Sequence, residues 1–197
     1  MTVVVIAYPP SAGGNHLKNM LCLDSSFANS SDLDTTKYTG GDREVHSTTG
    51  RNMQEYRMQQ AETCTGDYIL HGHFGELAPW QPRINAIQNK KFVIISIDTQ
   101  RDKFLLDQRQ HRLGQWGHEY YLYEEQPYLY QRELYQTYFT GRPDNVYTVS
   151  LNDFWHPSLA QYKIIDQLNS FLNKRIDADQ AQDLHRYWHI NNNIDFY

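Results

Sequence analysis

The chain has 197 residues, 40% hydrophobic and 14% aromatic, with a formal net charge of -5 at pH 7. That length fits one α/β domain with a sheet covered on both faces, and no composition break or Pro/Ser-rich linker divides it, so residues 1–197 read as a single domain. The negative charge excludes an affinity built on phosphate-backbone neutralisation, so nucleic acid is not an expected partner; without a basic leader or an apolar run long enough to span a bilayer, the expectation is a soluble, cytoplasmic chain.

Val3-Val4-Val5-Ile6-Ala7-Tyr8 predicts a strand that runs through Pro9-Pro10-Ser11-Ala12-Gly13-Gly14-Asn15-His16 into the apolar helix pattern Leu17, Met20, Leu21. Strand, small-residue loop and helix together make an anion site. The first N–H groups of a helix lack intrahelical partners and carry partial positive charge, and Gly13 and Gly14 have no Cβ to keep an anion away. Ser11, Ala12, Gly13, Gly14, Asn15 and His16 are therefore candidate anion-binding residues. The G-x-x-x-x-G-K-[ST] pattern is absent, Lys18 is the nearest cation, and an ordinary buried βα turn explains the glycines as well as an anion does. Asn15 as a plain helix cap is as good an account as Asn15 and His16 as side-chain donors. Lys18, one turn inward, either reaches back toward the helix start or lies solvated. Cys22 falls on the apolar side of this helix as a buried free thiol would, and neither it nor Cys64 has zinc-type spacing or support for a disulfide.

Asp24 to Gly50 is rich in Ser, Thr, Asp and Gly and predicts loops with at most short elements. A helix is expected from Met53 to Ala61, a strand over Tyr68-Ile69-Leu70-His71, and a short helix from Pro82 to Asn89. Lys91 to Ile97 is the clearest strand, nearly continuous in apolar residues as in a parallel sheet buried on both faces. Asp98 or Thr99 caps a helix through about Leu113, which Gly114 stops. His118 to Phe139 is tyrosine-dense and helical by propensity; a turn at Gly141 to Asp144 leads to a last strand, Val146 to Val149. Two helices follow, Pro157 to Leu172 and, behind an acidic cap, Asp177 to about Trp188. Four strands alternating with helices imply parallel pairing with right-handed crossovers, hence a three-layer α/β/α fold with a central, mainly parallel sheet.

The order and wording of these segments resemble the sulfotransferases. Tyr8-Pro9-Pro10-Ser11-Ala12-Gly13-Gly14-Asn15 looks like the family's 5′-phosphosulfate loop, and His71-Gly72-His73-Phe74 like its strand ending in histidine. Ile97-Asp98-Thr99-Gln100-Arg101-Asp102 stands where the 3′-phosphate is gripped, and Val149-Ser150-Leu151-Asn152-Asp153-Phe154 with Ile165 to Leu172 resembles the closing strand and long helix. The resemblance implies a P-loop-like fold, 3′-phosphoadenosine 5′-phosphosulfate as co-substrate, no metal, and transfer of a sulfuryl group to a small-molecule or carbohydrate hydroxyl. It departs at Pro10, where the family has a cation, at Gly13-Gly14 in place of a Thr-Thr pair, and at Asp98 and Leu106, where arginine and serine are usual. Arg101 and Lys18 are the cations that could stand in.

Sulfuryl transfer needs a base for the acceptor hydroxyl and fixed donors for the sulfate oxygens. His73, just past a strand's carboxyl end, is the candidate base; the alternative is a loop-capping or backbone-bonding histidine. His71 and His73 would share a face if the strand ran through them, and His185 and His189 share a helix face, a spacing also common among surface histidines; neither pair has a third ligand, so metal is not expected. Tyr120, Tyr121, Tyr123, Tyr128, Tyr130, Tyr135 and Tyr138 could line an acceptor pocket or a partner interface, or simply pack on the sheet. A binding module that kept the fold and lost the donor site, and a P-loop kinase-like enzyme, are the alternatives; the missing Lys-Ser/Thr counts against the second.

Overall fold

The computed structural model describes residues 1–9, 12–33, 50–97, 99–113, 143–156 and 160–192. Pro10, Ser11, Asp98, Gly114 and the tyrosine-dense stretch with its seven candidate tyrosines lie outside the described residues. Four strands, β1 (Val3–Tyr8), β2 (Tyr68–His73), β3 (Lys90–Ser96) and β4 (Val146–Ser150), form a parallel sheet in the order β2-β1-β3-β4. Every residue of β1 is buried, as befits a strand with neighbours on both sides and helices on both faces.

The register sorts the side chains. Val4, Ile6 and Tyr8 lie beside Ile69, Val93, Ile95 and Val149 on one face, covered by α1 (Gly14–Leu21), α5 (Gln100–Leu113), α6 (Leu151–Trp155), α7 (Ala160–Leu172) and α8 (Ala178–Asn192). Val3, Val5 and Ala7 meet Leu70, Phe92 and Ile94 on the other face, under α2 (Gly50–Thr63), α3 (Phe74–Leu77) and α4 (Gln81–Ala86). This is a mixed α/β architecture in three layers, and the strand pairing is parallel throughout as the alternation of elements implies.

Several boundaries differ from expectation. β2 runs on to His73, so that histidine is the strand's last residue rather than a residue beyond it. Three short elements were not foreseen: α3, the 3-10 turn Ala78–Trp80, and α6. The expected helix to Asn89 stops at Ala86 because Ile87 is extended and turns the chain into β3. Asp24 to Leu33 is loop with a 3-10 turn at Ser30–Asp32, and α8 outruns the expected end at Trp188 to reach Asn192. Cap chemistry holds where it was expected: the Gln180 N–H donates to Asp177 Oδ1 at 2.8 Å, and the Asp102 N–H donates to Thr99 Oγ1 at 3.1 Å. Asn173, left-handed at φ 56°, ends α7, and the Asn169 side chain spans the turn to Ile176 N and O.

Candidate functional site

In the order β2-β1-β3-β4 the chain leaves β1 toward one edge and β3 toward the other, so the switch point lies outside the carboxyl ends of these two central strands. Open parallel sheets bind ligands there, because the loops diverge and leave a crevice. The segment after β1 reaches it first. Ala12 N–H donates to Pro9 O at 3.1 Å, and Gly13 follows with φ +85° as the N-cap of α1. Only glycine takes that conformation cheaply. Gly14 is required for space: a Cβ there would stand 2.0 Å from the Tyr8 ring.

The helix start is roofed by aromatic rings. Trp155 Nε1 donates to Ala12 O at 3.0 Å, and a Cβ on Gly13 would meet Trp188 at 3.0 Å and Phe154 at 3.3 Å. His16 stacks flat on Trp188, with centroids 4.5 Å apart and planes 3° apart, while the Arg109 guanidinium sits over Trp188 at 4.8 Å and Trp155 at 5.4 Å. Ala12 and Gly13 are buried beneath this cover.

Behind the roof is a chain of imidazoles. His16 Nε2 lies 2.9 Å from His185 Nδ1, and His185 Nε2 lies 3.1 Å from the His156 carbonyl and 2.9 Å from His189 Nε2. A carbonyl can only accept, so the contact with His156 is a hydrogen bond in the tautomer that carries the His185 proton on Nε2, in which Nδ1 accepts and His16 donates from Nε2. Burial, reinforced by the neighbouring histidines and Arg109, holds His16 well below the usual histidine range, and burial beside His189 brings His185 down to about 3. Both rings are neutral at pH 7. His185 is fully buried, which corrects the surface placement considered for it. Its two nitrogens face different partners, so the three rings do not converge on one point, and no group of three His, Cys, Asp or Glu among the described residues is placed to hold a metal ion.

The β2 side of the crevice is more polar. Strand β2 runs through both His71 and His73, which share the face of Ile6 and Tyr8. Tyr8 Oη lies 3.3 Å from His71 Nδ1 and 3.4 Å from Asn15 Oδ1, and the Tyr8 and His73 rings meet edge to face at 5.1 Å. Glu76 is fixed below them. Its Oε2 accepts from the His73 N–H at 3.0 Å and from Gln54 Nε2 at 3.4 Å, and its Oε1 stands 3.7 Å from His73 Nδ1. His73 is also the N-cap of α3, its side chain accepting from the Glu76 N–H in a capping box, so the carboxylate at 3.7 Å is a charged neighbour of the ring rather than its hydrogen-bond partner. Gly72 admits this packing, since a Cβ there would press on Gln54 Nε2 at 2.9 Å.

The edge at β3 and β4 is tied together by Asp102, wholly buried in the first turn of α5. Its Oδ2 accepts from Thr99 N–H and Thr99 Oγ1 at 2.8 and 2.7 Å, and its Oδ1 accepts from Asn152 N–H at 2.5 Å, joining α5 to the start of α6.

Of the residues expected to bind an anion, Ala12 to His16 and Lys18 therefore sit together at the start of α1, with Tyr8 linking Asn15 to the His71–His73 strand. Asn15 does not cap the helix; Gly13 holds the N-cap position, and Asn15 Oδ1 faces the Tyr8 hydroxyl instead. Lys18 is buried rather than solvated. Arg101 lies exposed in the first turn of α5, over the Phe104 ring at 5.8 Å, on the β3 side of the crevice. Leu106 is buried in the core. Sequence reading missed the roof. Its signal was the stripe Ala181, Leu184, His185, Trp188, spaced as one buried helix face that includes a histidine. No protein-family model matches the chain, and no curated protein does.

Proposed function

We propose that the chain is a sulfotransferase-like protein of P-loop-like fold, taking a sulfuryl group from 3′-phosphoadenosine 5′-phosphosulfate to a small-molecule or carbohydrate hydroxyl. The observation that carries this reading is the pairing of His73 with the glycine-started helix: Tyr8, the last residue of β1, contacts His73 at 5.1 Å and Asn15 at 3.4 Å. In this reading a base at the end of β2 and the N–H donors of the helix after β1 lie on two sides of Tyr8. In this reading the His73 ring takes the acceptor proton, and the Glu76 carboxylate beside it favours the imidazolium that forms. The N–H groups at Gly14 to His16 receive the sulfate oxygens, and Lys18 and Arg101 are the cations assigned to them.

Burial of Ala12 and Gly13 under Trp155 and Trp188 favours a second reading, a binding module that kept the fold without using the donor. One titration separates them. Under the first reading 3′-phosphoadenosine 5′-phosphate raises the melting temperature, and His73→Ala abolishes turnover with that shift preserved. No shift at millimolar nucleotide overturns the donor assignment, and a shift with a nucleoside triphosphate and magnesium instead would reassign the site to phosphoryl chemistry.

A further inference from the structure

We propose that Glu76 selects the acceptor: the hydroxyl compound taken at His73 carries a second O–H or N–H donor beside the reacting hydroxyl, as an amino alcohol or a 1,2-diol of a sugar does, and is not an anion. This rests on the reading of His73 as the base for an acceptor hydroxyl.

The two oxygens of Glu76 are used differently. Oε2 is tied back, accepting from the His73 N–H at 3.0 Å and from Nε2 of the buried Gln54 at 3.4 Å. Oε1 makes no hydrogen bond among the described residues and stands 3.7 Å from the His73 ring, on a side chain that is 35% exposed. An ionised carboxylate only accepts, so what Oε1 takes from a ligand is a donor. The one ion pair of Glu76 among the described residues is with that same ring, which is charged only when protonated. Beside a neutral His73 the carboxylate therefore favours an ammonium or a hydroxyl and repels a second anion. A ligand hydroxyl placed on the ring brings a donor on the adjoining carbon within reach of an oxygen 3.7 Å away, whereas an isolated hydroxyl leaves Oε1 to water. There is room for the neighbour. A Cβ added at Gly75 would meet no atom of the described residues within 4 Å, while Phe74 and Leu77, both buried, fix the turn that carries Glu76. Because Oε2 is held at two points, the incoming donor meets an acceptor that is already oriented.

A series of alcohols built on one ring tests this on the intact chain without any nucleotide. trans-2-Aminocyclohexanol, trans-cyclohexane-1,2-diol, cyclohexanol and 2-hydroxycyclohexanecarboxylate are each titrated near neutral pH while the backbone amides of His73 and Glu76 are followed by NMR. The amino alcohol should bind about tenfold more tightly than cyclohexanol and the diol about threefold, with the hydroxy acid weaker than cyclohexanol. The two donor-bearing arms tell an amine from a hydroxyl as the second group. Glu76→Gln keeps an acceptor for the His73 N–H, since glutamine serves at the same place in a capping box, and removes the charge. It should bring the amino alcohol and the hydroxy acid to within about twofold of cyclohexanol; should it fail to fold, the wild-type series decides alone. The proposal is overturned if cyclohexanol binds as tightly as both two-donor compounds, if the hydroxy acid binds best, if the amino alcohol preference survives Glu76→Gln, or if none of the compounds moves the two amides at about 0.1 M. The melting shift with 3′-phosphoadenosine 5′-phosphate is a separate readout. A two-donor preference without that shift keeps the acceptor site and removes the donor assignment; the shift without the preference does the reverse.

Discussion

Around His73, at the carboxyl end of β2, and around His16, in the first turn of α1, the protein surrounds an imidazole in opposite ways. The ring of His73 is partly open to solvent, beside the one carboxylate of Glu76, which is anchored on the His73 N–H. That of His16 is sealed among Trp188, Phe154 and His185. The first ring has an acid beside it; the second, buried beside other imidazoles and Arg109, is penalised for carrying a proton. A histidine's usefulness is thus set by its neighbours, and those neighbours come from α3 in one case and from the far C-terminal helix in the other.

The sealed region is where substitution should hurt most. Gly14→Ala places a Cβ at 2.0 Å from the Tyr8 ring, and both the ring and the helix start are buried. The expected loss exceeds the about 1–3 kcal/mol usual for overpacking, since neither the strand nor the helix has room to retreat. Urea unfolding of Gly14→Ala against Gly66→Ala measures it. A Cβ at Gly66 would meet its nearest atom only at 3.5 Å, so that variant should be far milder. Similar losses for the two would mean that the Tyr8 contact is not what fixes Gly14.

The pH dependence of stability sharpens the contrast next. His16 and His185 have folded-state pKa values below their unfolded ones, so below about pH 6.5 the unfolded chain takes up protons that the folded chain refuses. Stability is flat above that pH and falls as pH drops through it, continuing toward about 3 for His185. Two such rings predict a loss of about 2.7 kcal/mol from pH 7.5 to pH 5.5. Asp24 and Asp67, also lowered in the folded state, lose their contribution only further down, below the ordinary carboxylate pKa. Chemical denaturation at the two pH values checks the loss, and His185→Leu should roughly halve it. An unchanged midpoint across that interval would mean the rings are not neutral when folded.

Much of the fold was legible because its signals are local. The apolar runs at Val3–Tyr8 and Lys90–Ser96, the caps at Thr99 and Asp177, and the periodic stripe of α7 each report their own element. The short helices α3 and α6 were not legible, because each is a single turn or little more, started by a side chain at a strand end: Ser150 Oγ accepts from Asp153 N–H, and Glu76 returns to His73 N–H. The glycines at the helix start were visible; their reason was not. Gly14 answers to Tyr8, six residues back, but Gly13 answers to Trp188, on a helix whose position no local pattern gives.

Asp102 lies between the two extremes: a buried carboxylate, yet one with three donors. Asp102→Asn keeps the shape and gives up one of its two accepting oxygens to an amide that must face a donor. Bonds to a charged acceptor contribute about 1.5–3 kcal/mol, so a loss of about 2 kcal/mol is expected, together with loosening of α6 against α5. Exchange at the Asn152 amide is the discriminating readout: its protection should fall further than that of β4. Equal protection in both chains would show that the bond to Asn152 does not anchor α6.

The smallest effect is expected at Gln54, and its sign tests how the polar corner is built. Gln54 Nε2 reaches His71 O and Glu76 Oε2 at 3.4 Å each, at the long end for hydrogen bonds, while its Oε1 is buried with no hydrogen-bond partner among the described residues. An unmet buried acceptor costs about 1–3 kcal/mol, which offsets what two long bonds contribute. Methionine has a similar length and no such acceptor, so Gln54→Met should change stability by less than about 1 kcal/mol in either direction. Glu76 would keep its short bond to the His73 N–H. Thermal unfolding of Gln54→Met, with the His73 imidazole titration followed in the same sample, reads both quantities. A loss well above that bound would mean Oε1 is bonded after all, and that Gln54 rather than the His73 backbone holds the carboxylate in place.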